Sequence, residues 1–181
     1  DPASKYFVYE CDEYDRNFLS FNPDISIIPG IDYDHPDIYP TRDEYYQAFN
    51  QFFSQSKQVF AHSEDFIKIR LASQPTTIDL SKFTLVGEVN RKNALLVVDA
   101  MHRLTTEPTD ELIDIANSFP GVSRRFEKIA ENIYTDYAHT PEKIRGALQL
   151  AHEVAGDNVA VVYEGLHNTR QHFIKNELVN L

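Results

Sequence analysis

The chain has 181 residues, a formal net charge of −11, one cysteine and no tryptophan, with 12 phenylalanines and 10 tyrosines available for burial. That length supports one good-sized core or two small ones, and the composition is that of a globular chain rather than a disordered one. The acidic balance excludes a general binder of nucleic acid polymers, which needs a basic surface to displace counterions; it leaves room for an anionic small molecule held by a few arginines and a metal. No apolar run approaches a membrane span and no basic-then-apolar leader opens the chain, so membrane insertion is not expected. Cys11 has no second cysteine to pair with and fits a reducing cytoplasm. The opening DPASKYFVYE enters strand-like sequence with no initiator methionine, which predicts a fragment.

Taken in order, Tyr6 to Glu10 reads as a short strand ending in the acidic run CDEYD. Ile25 to Ile28 is a second strand, closed by Pro29-Gly30. After the loop IDYDHPDIYP, Thr41 and Glu44 form a capping box that opens a helix. Tyr45, Ala48, Phe49, Phe52 and Phe53 give that helix a single apolar face. Gln58 to Ala61 is the next strand. FIKIRLA and TTIDL, between His62 and Lys82, and Phe83 to Val86 are further strand candidates. A helix is expected from about Asn90 to Leu104, with Ala94, Val97, Val98 and Met101 inward. A shorter one is expected over Thr109 to Phe119, with Leu112, Ile115, Ala116 and Phe119 inward.

Phe119-Pro120-Gly121 is a breaker and the best domain boundary, dividing the chain into residues 1–120 and 121–181. Beyond it, Phe126 to Ala130 and Ile133 to Asp136 read as strands. Thr140-Pro141-Glu142 then starts a helix that buries Ile144, Ala147, Leu148, Ala151 and Val154. Val159 to Tyr163 is a continuous apolar strand of the parallel-sheet kind, and a last helix begins near Thr169. The alternation of strands and helices predicts an α/β fold with a mostly parallel sheet.

Four groups of residues can carry chemistry. Glu10, Asp12, Glu13 and Asp15 follow the first strand, and Asp32, Asp34, His35 and Asp37 follow the second. Adjacent parallel strands bring both loops to the carboxyl edge of the sheet, where ligands of open α/β sheets bind. Carboxylates with one imidazole suit Mg²⁺ or Mn²⁺ beside a phosphate, or form a solvated acidic rim with His35 as a turn residue. Asn90 and Asn93, at a helix mouth, either face a nucleotide or cap the helix. Arg124 and Arg125 either clamp phosphate oxygens or make surface ion pairs. Asp136 is a ribose acceptor or a turn acid, and His139 binds an anion or packs. His167, Asn168, Thr169 and Arg170 follow the last strand at the same edge or cap a helix. Cys11 is a small buried residue rather than a nucleophile.

These segments resemble the Mur ligases, the ATP-dependent ligases of peptidoglycan precursor synthesis. YECDEYDRNFLSFNPDISII is similar to the family's central-domain segment, and GIDYDHPDIY to its N-I-E-x-D-H-x-D-x-Y loop. GEVNRKNAL is similar to the G-x-H-N-x-x-N-A helix start. FPGVSRRFE and YTDYAHTPEKIRGAL are similar to F-x-G-V-x-R-R-F and D-D-Y-A-H-x-P. The resemblance implies the remnant of a central ATPase-type sheet followed by the first half of a Rossmann-like C-terminal domain. It implies ATP and Mg²⁺ as cofactors, with Glu10 and His35 as metal ligands. Asn90 and Asp136 would lie at the nucleotide, and Arg124 or Arg125 at the phosphates. Tyr137 and His139 would lie at the UDP-sugar carboxylate and incoming amine, with His167 and Arg170 near the second substrate. The implied substrates are UDP-N-acetylmuramate and an amino acid or short peptide, joined through an acyl phosphate.

The departures are specific. No Gly-rich loop ending in Gly-Lys-Ser/Thr occurs, Val89 stands where the family has histidine, and Gly30 where it has asparagine. The stretch Glu64 to Lys82 is short, and the last domain stops early. The expectation is a truncated or degenerate Mur ligase without activity alone. The competing readings are a non-catalytic nucleotide-binding or interaction module, and a metal hydrolase using Glu10, Asp34 and His35.

Overall fold

The protein is described here from a computed structural model covering residues 3–72, 76–165 and 175–179. Two parallel strands, β1 (Ile25–Ile28) and β2 (Gln58–Ala61), pair in register from Ile25 opposite Gln58 to Ile28 opposite Ala61. The crossover between them is α1 (Arg42–Gln55), as the strand–helix–strand order requires. Thr41 caps α1, its hydroxyl oxygen accepting the Glu44 N–H, and Tyr45, Ala48, Phe49, Phe52 and Phe53 are all buried on one face. The fold is α/β, with a parallel pair at its centre.

Side chains alternate across the pair, so each face takes its own helix. Ile28, with Val59 and Ala61, packs in the α1 core beside Phe18, Ile31, Tyr39 and Phe66. On the other face Phe60, with Ile25, packs on Leu96 and Ala100 of α3 (Glu88–Met101). A further cluster joins α3 to α4 (Thr109–Asn117) through Phe83, Ala94, Val98, Leu112 and Ile113. Between β2 and α3 lies a short helix, α2 (Ser63–Lys68), that buries Asp65 and Phe66.

The chain then forms an antiparallel hairpin, β3 (Glu127–Ala130) and β4 (Ile133–Thr135), followed by α5 (Pro141–Ala155). Thr140 caps α5 by accepting the Lys143 N–H, and Pro141 occupies its first turn. No helix among the described residues is long and apolar enough to cross a membrane.

Several expectations are corrected. FIKIRLA is not a strand: its first three residues end α2 and the rest leave through a turn; Phe83 to Val86 is not a strand either, although Phe83 is buried. TTIDL forms no strand; Asp79 caps the 3₁₀ turn Leu80–Lys82 instead. Tyr6 to Glu10 and Val159 to Tyr163 are not strands either, and Val8 (91%) and Val162 (99%) lie open to solvent. A strand needs a neighbour for its backbone N–H and C=O groups, and no described segment pairs with either one. Of the helix faces, Ala94, Val98 and Leu112 are buried as expected, Val97, Ile115, Phe119 and Val154 point outward, and Leu96, Ala100, Ile113 and Leu150 are buried in addition. The helix expected near Thr169 begins outside the described residues.

Candidate functional site

The two acidic loops do converge. After the extended opening segment, a 3₁₀ turn (Tyr14–Ser20) folds the chain back, with Asp15 and Arg16 both at positive φ, 52° and 59°. This turn is seeded by Phe18, buried against the rings of Phe49 and Phe52. It presents Glu13 to the loop after β1. There His35 adopts φ 57°, a left-handed conformation that a side chain reaches only at a cost. The His35 Nε2 lies 3.3 Å from Glu13 Oε1 and 3.9 Å from Asp34 Oδ2. The Asp34 carboxylate also accepts the His35 backbone N–H at 2.8 Å. The far side of this loop is held by Tyr39, whose hydroxyl donates to the Glu13 carbonyl at 2.6 Å. Burial pushes the Tyr39 phenol up to about 12.

Asp34 is 8% exposed and collects charge from a distant part of the chain. His139 Nε2 approaches Asp34 Oδ2 at 3.5 Å, and the Lys143 ammonium reaches the same oxygen at 3.9 Å. The other ring nitrogen of His139, Nδ1, lies 2.9 Å from the Tyr137 carbonyl. Both ring nitrogens therefore face oxygens. Burial raises the Glu13 carboxyl, but its hydrogen bond to His35 and the nearby cations outweigh this and hold it below the ordinary value.

Glu13, Asp34 and His35 each offer one ligand atom within 4.8 Å of the others. Two carboxylates and an imidazole form a hard donor set of the kind that takes Mg²⁺ or Mn²⁺. Both Glu13 and Asp34 belong to the acidic groups legible in sequence, where Asp34 and His35 are already grouped, but with Glu10 rather than Glu13. Glu10 is exposed and lies outside this cluster.

The other site residues fall in distinct places. Asn90 sits in the first turn of α3 and donates its side-chain amide to the Val86 carbonyl at 2.8 Å, a local side-chain-to-backbone bond. The Asp136 carboxylate closes the hairpin, accepting the Phe126 N–H and the Ala138 N–H, both at 2.7 Å. Arg124 and Arg125 are exposed in the turn before β3, where the Arg124 N–H donates to Glu127. Tyr137 is exposed and stacks edge-on to His139, with ring centroids 5.2 Å apart. His167 and Arg170 lie outside the described residues.

A charged cavity of about 210 Å³ opens beside this region, lined among others by Asp32, Glu64, Lys68, Glu88, Lys92 and Gln149. Here α5 docks on the start of α3. Arg91 forks onto Glu153 at 2.7 and 3.2 Å, and the Gly87 N–H donates to the same carboxylate. Gly87 has φ 84°, and a Cβ there would meet Leu150 Cγ at 2.4 Å, so the close approach of the two helices requires glycine. Sequence reading missed Asp65 and Lys68, because their stretch looked like a strand. The acidic start Ser63-Glu64-Asp65, followed by a lysine three residues later, was the available helix signal.

No family model matches the chain. The chain is 33% identical over 189 residues to the UDP-N-acetylmuramate–L-alanine ligase of Levilactobacillus brevis, covering 84% of this chain and 42% of that protein. It is 31% identical to the ligases of the same name from Lactobacillus acidophilus and Lactococcus lactis subsp. cremoris. These alignments cover 88% of this chain and 45% and 44% of those proteins. The chain thus spans less than half the length of these relatives. At 31–33% identity over 84–88% of its length, the chain belongs to the Mur ligase family.

Proposed function

We propose that this chain is part of an ATP-dependent ligase of peptidoglycan precursor synthesis, acting in the cytoplasm. The ligase joins L-alanine, or a short peptide, to UDP-N-acetylmuramate through an acyl phosphate. The observation that carries the reading is the meeting of Glu13, Asp34 and His35. It brings together the two loops whose sequences resemble the family's metal-binding segments.

In this reading Glu13, Asp34 and His35 hold Mg²⁺, which when bound offsets charge on the transferring phosphoryl group. Glu10, three residues before Glu13, is the ligand implied by resemblance alone. Asn90 and Asp136 lie at the nucleotide, and Arg124 or Arg125 is the planar fork for phosphate oxygens. His139, oriented by the Tyr137 carbonyl, faces the acyl group and incoming amine, with Tyr137, His167 and Arg170 on the substrates. The chain otherwise acts by positioning, since ATP and two substrates must meet in one cleft. Without a Gly-rich phosphate loop in its 181 residues, the chain by itself is inactive.

Mn²⁺ titration followed by electron paramagnetic resonance tests the metal assignment. One site is expected, weakened about tenfold or more in both Glu13→Gln and His35→Ala. Equal affinity in the wild type and both variants overturns it. ATP- and Mg²⁺-dependent phosphate release by the purified chain, lost in Glu10→Ala, would contradict the inactivity. A second reading, a nucleotide-binding or interaction module without catalysis, is favoured by one feature. The Asp136 carboxylate and the Asn90 amide are already engaged with backbone groups.

A further inference from the structure

The loop that carries Asp34 and His35 leaves the core under a charge network, centred on the buried Asp65, that its own helix does not need. Asp65 of α2 is 2% exposed, and its Oδ1 accepts both the Ile31 N–H at 3.1 Å and the Lys68 ammonium at 2.9 Å. Lys68 also donates to Asp32 Oδ1 at 2.8 Å. An acid in the first turn of a helix ordinarily serves that helix's own free amides. Asp65 instead takes a backbone amide 34 residues away in sequence, just after β1.

Stability alone is a poor account of this arrangement. Removing two charges from water costs about as much as their attraction returns, so buried ion pairs seldom add net stability. What such a network does deliver is a backbone held in one place. Burial lowers the Lys68 pKa, but its bonds and proximity to Asp32 and Asp65 override this and hold the ammonium above the ordinary lysine value. The need for fixation lies a few residues on. His35 is held at φ 57°, and such a residue persists only where its surroundings over-determine it. Tyr39 secures the far end, its N–H donating to the His35 carbonyl and its hydroxyl to the Glu13 carbonyl. Ile31, Asp32, Asp65 and Lys68 secure the near end.

We propose that Asp65 and Lys68 are positioning residues: they lock the Ile31–Asp32 backbone and so set where Asp34 and His35 emerge to meet Glu13. The inference rests on reading Glu13, Asp34 and His35 as the site, but its test does not depend on a bound metal. The rings of Tyr14 and His35 lie edge to face with centroids 5.0 Å apart, which makes their mutual nuclear Overhauser effect a reporter of His35 placement. In the full chain, Lys68→Met is expected to abolish that effect and to speed Ile31 amide exchange about tenfold relative to amides within β1 and β2. Lys68→Arg is expected to restore both. Asp32→Asn, which removes the more exposed arm alone, is expected to weaken the ring effect and serves if Lys68→Met does not fold.

A Lys68→Met variant with a lower melting temperature but an unchanged Tyr14–His35 effect overturns the inference, because the network is then structural only. An unchanged effect in Asp32→Asn overturns it equally where Lys68→Met does not fold. Mn²⁺ titration of the same proteins separates the two readings. If the ring effect depends on Lys68 while the wild type binds no Mn²⁺, the metal assignment fails and the positioning role stands.

Discussion

Residues 25–117 and residues 121–165 both carry apolar strand and helix patterns, yet they bury them to different degrees. In the first region α1, the parallel pair and α3 stack in three layers, and each apolar stripe meets another element. In the second, the β3–β4 hairpin leaves Ile129 and Ile133 exposed, Val161 and Val162 are open, and the fully buried α5 positions are Pro141 and Leu150. The difference teaches that periodicity encodes a face, whereas burial requires a second face to cover it. The second region is held to the first by a few particular contacts: Leu150 on Gly87, Glu153 on Arg91, and His139 and Lys143 on Asp34.

The contrast can be broken most directly at the core. Phe49→Ala removes a ring packed among Phe18 and Tyr45 and is expected to cost about 3–5 kcal/mol in denaturant unfolding. Ile129→Ala, on the exposed hairpin, should fall within about 0.5 kcal/mol of the wild type. Comparable losses at the two positions would mean that the hairpin is buried against something and that the contrast is wrong.

An intermediate effect is expected at the junction. Gly87→Ala adds a Cβ that collides with Leu150 and strains a positive φ, at a cost of about 1–3 kcal/mol. Hydrogen exchange should rise in α5 while α1 stays protected, and adding Leu150→Ala should recover part of the loss by removing the collision. Equal deprotection of α1 and α5 would show one cooperative unit instead.

The smallest effect concerns acid. Hydrogen bonding to Arg91 leads the causes that hold the Glu153 carboxyl below its ordinary 4.5. A depressed carboxyl contributes stability above its unfolded pKa and loses it as pH falls through the folded one. Acidification below about pH 4.5 should therefore loosen α5 slightly before α1, and the Glu153→Gln variant should lack that early step. The pair is partly exposed to solvent, which screens it, so the shift will be modest. Identical acid profiles for the wild type and Glu153→Gln would remove this contact from the junction.

Much of the fold was legible from local pattern alone. The Thr41 and Thr140 caps, the apolar face of α1, and the order of β1, α1 and β2 depend on residues within a turn or two of one another. The chain cannot express these patterns in many ways. The strands expected at Tyr6 to Glu10 and Val159 to Tyr163 were misread because β-forming composition says nothing about whether a partner strand is present. FIKIRLA was misread because a short apolar run fits either period, and the acidic start at Ser63 decided for helix.

By itself, then, the sequence determined the α/β class, the main helix starts, the two acidic loops and, through its motifs, the family. Which carboxylate meets His35 was decided only by the tertiary structure. The answer was Glu13, because a tight turn with two positive-φ residues, anchored by Phe18, folds that side chain toward the loop. Tertiary structure likewise brought His139 to Asp34 and Asp65 to Ile31, pairs far apart in the chain. Such meetings follow from turn geometry and from the layering of helices on both faces of the β1–β2 pair, and no local spacing encodes them.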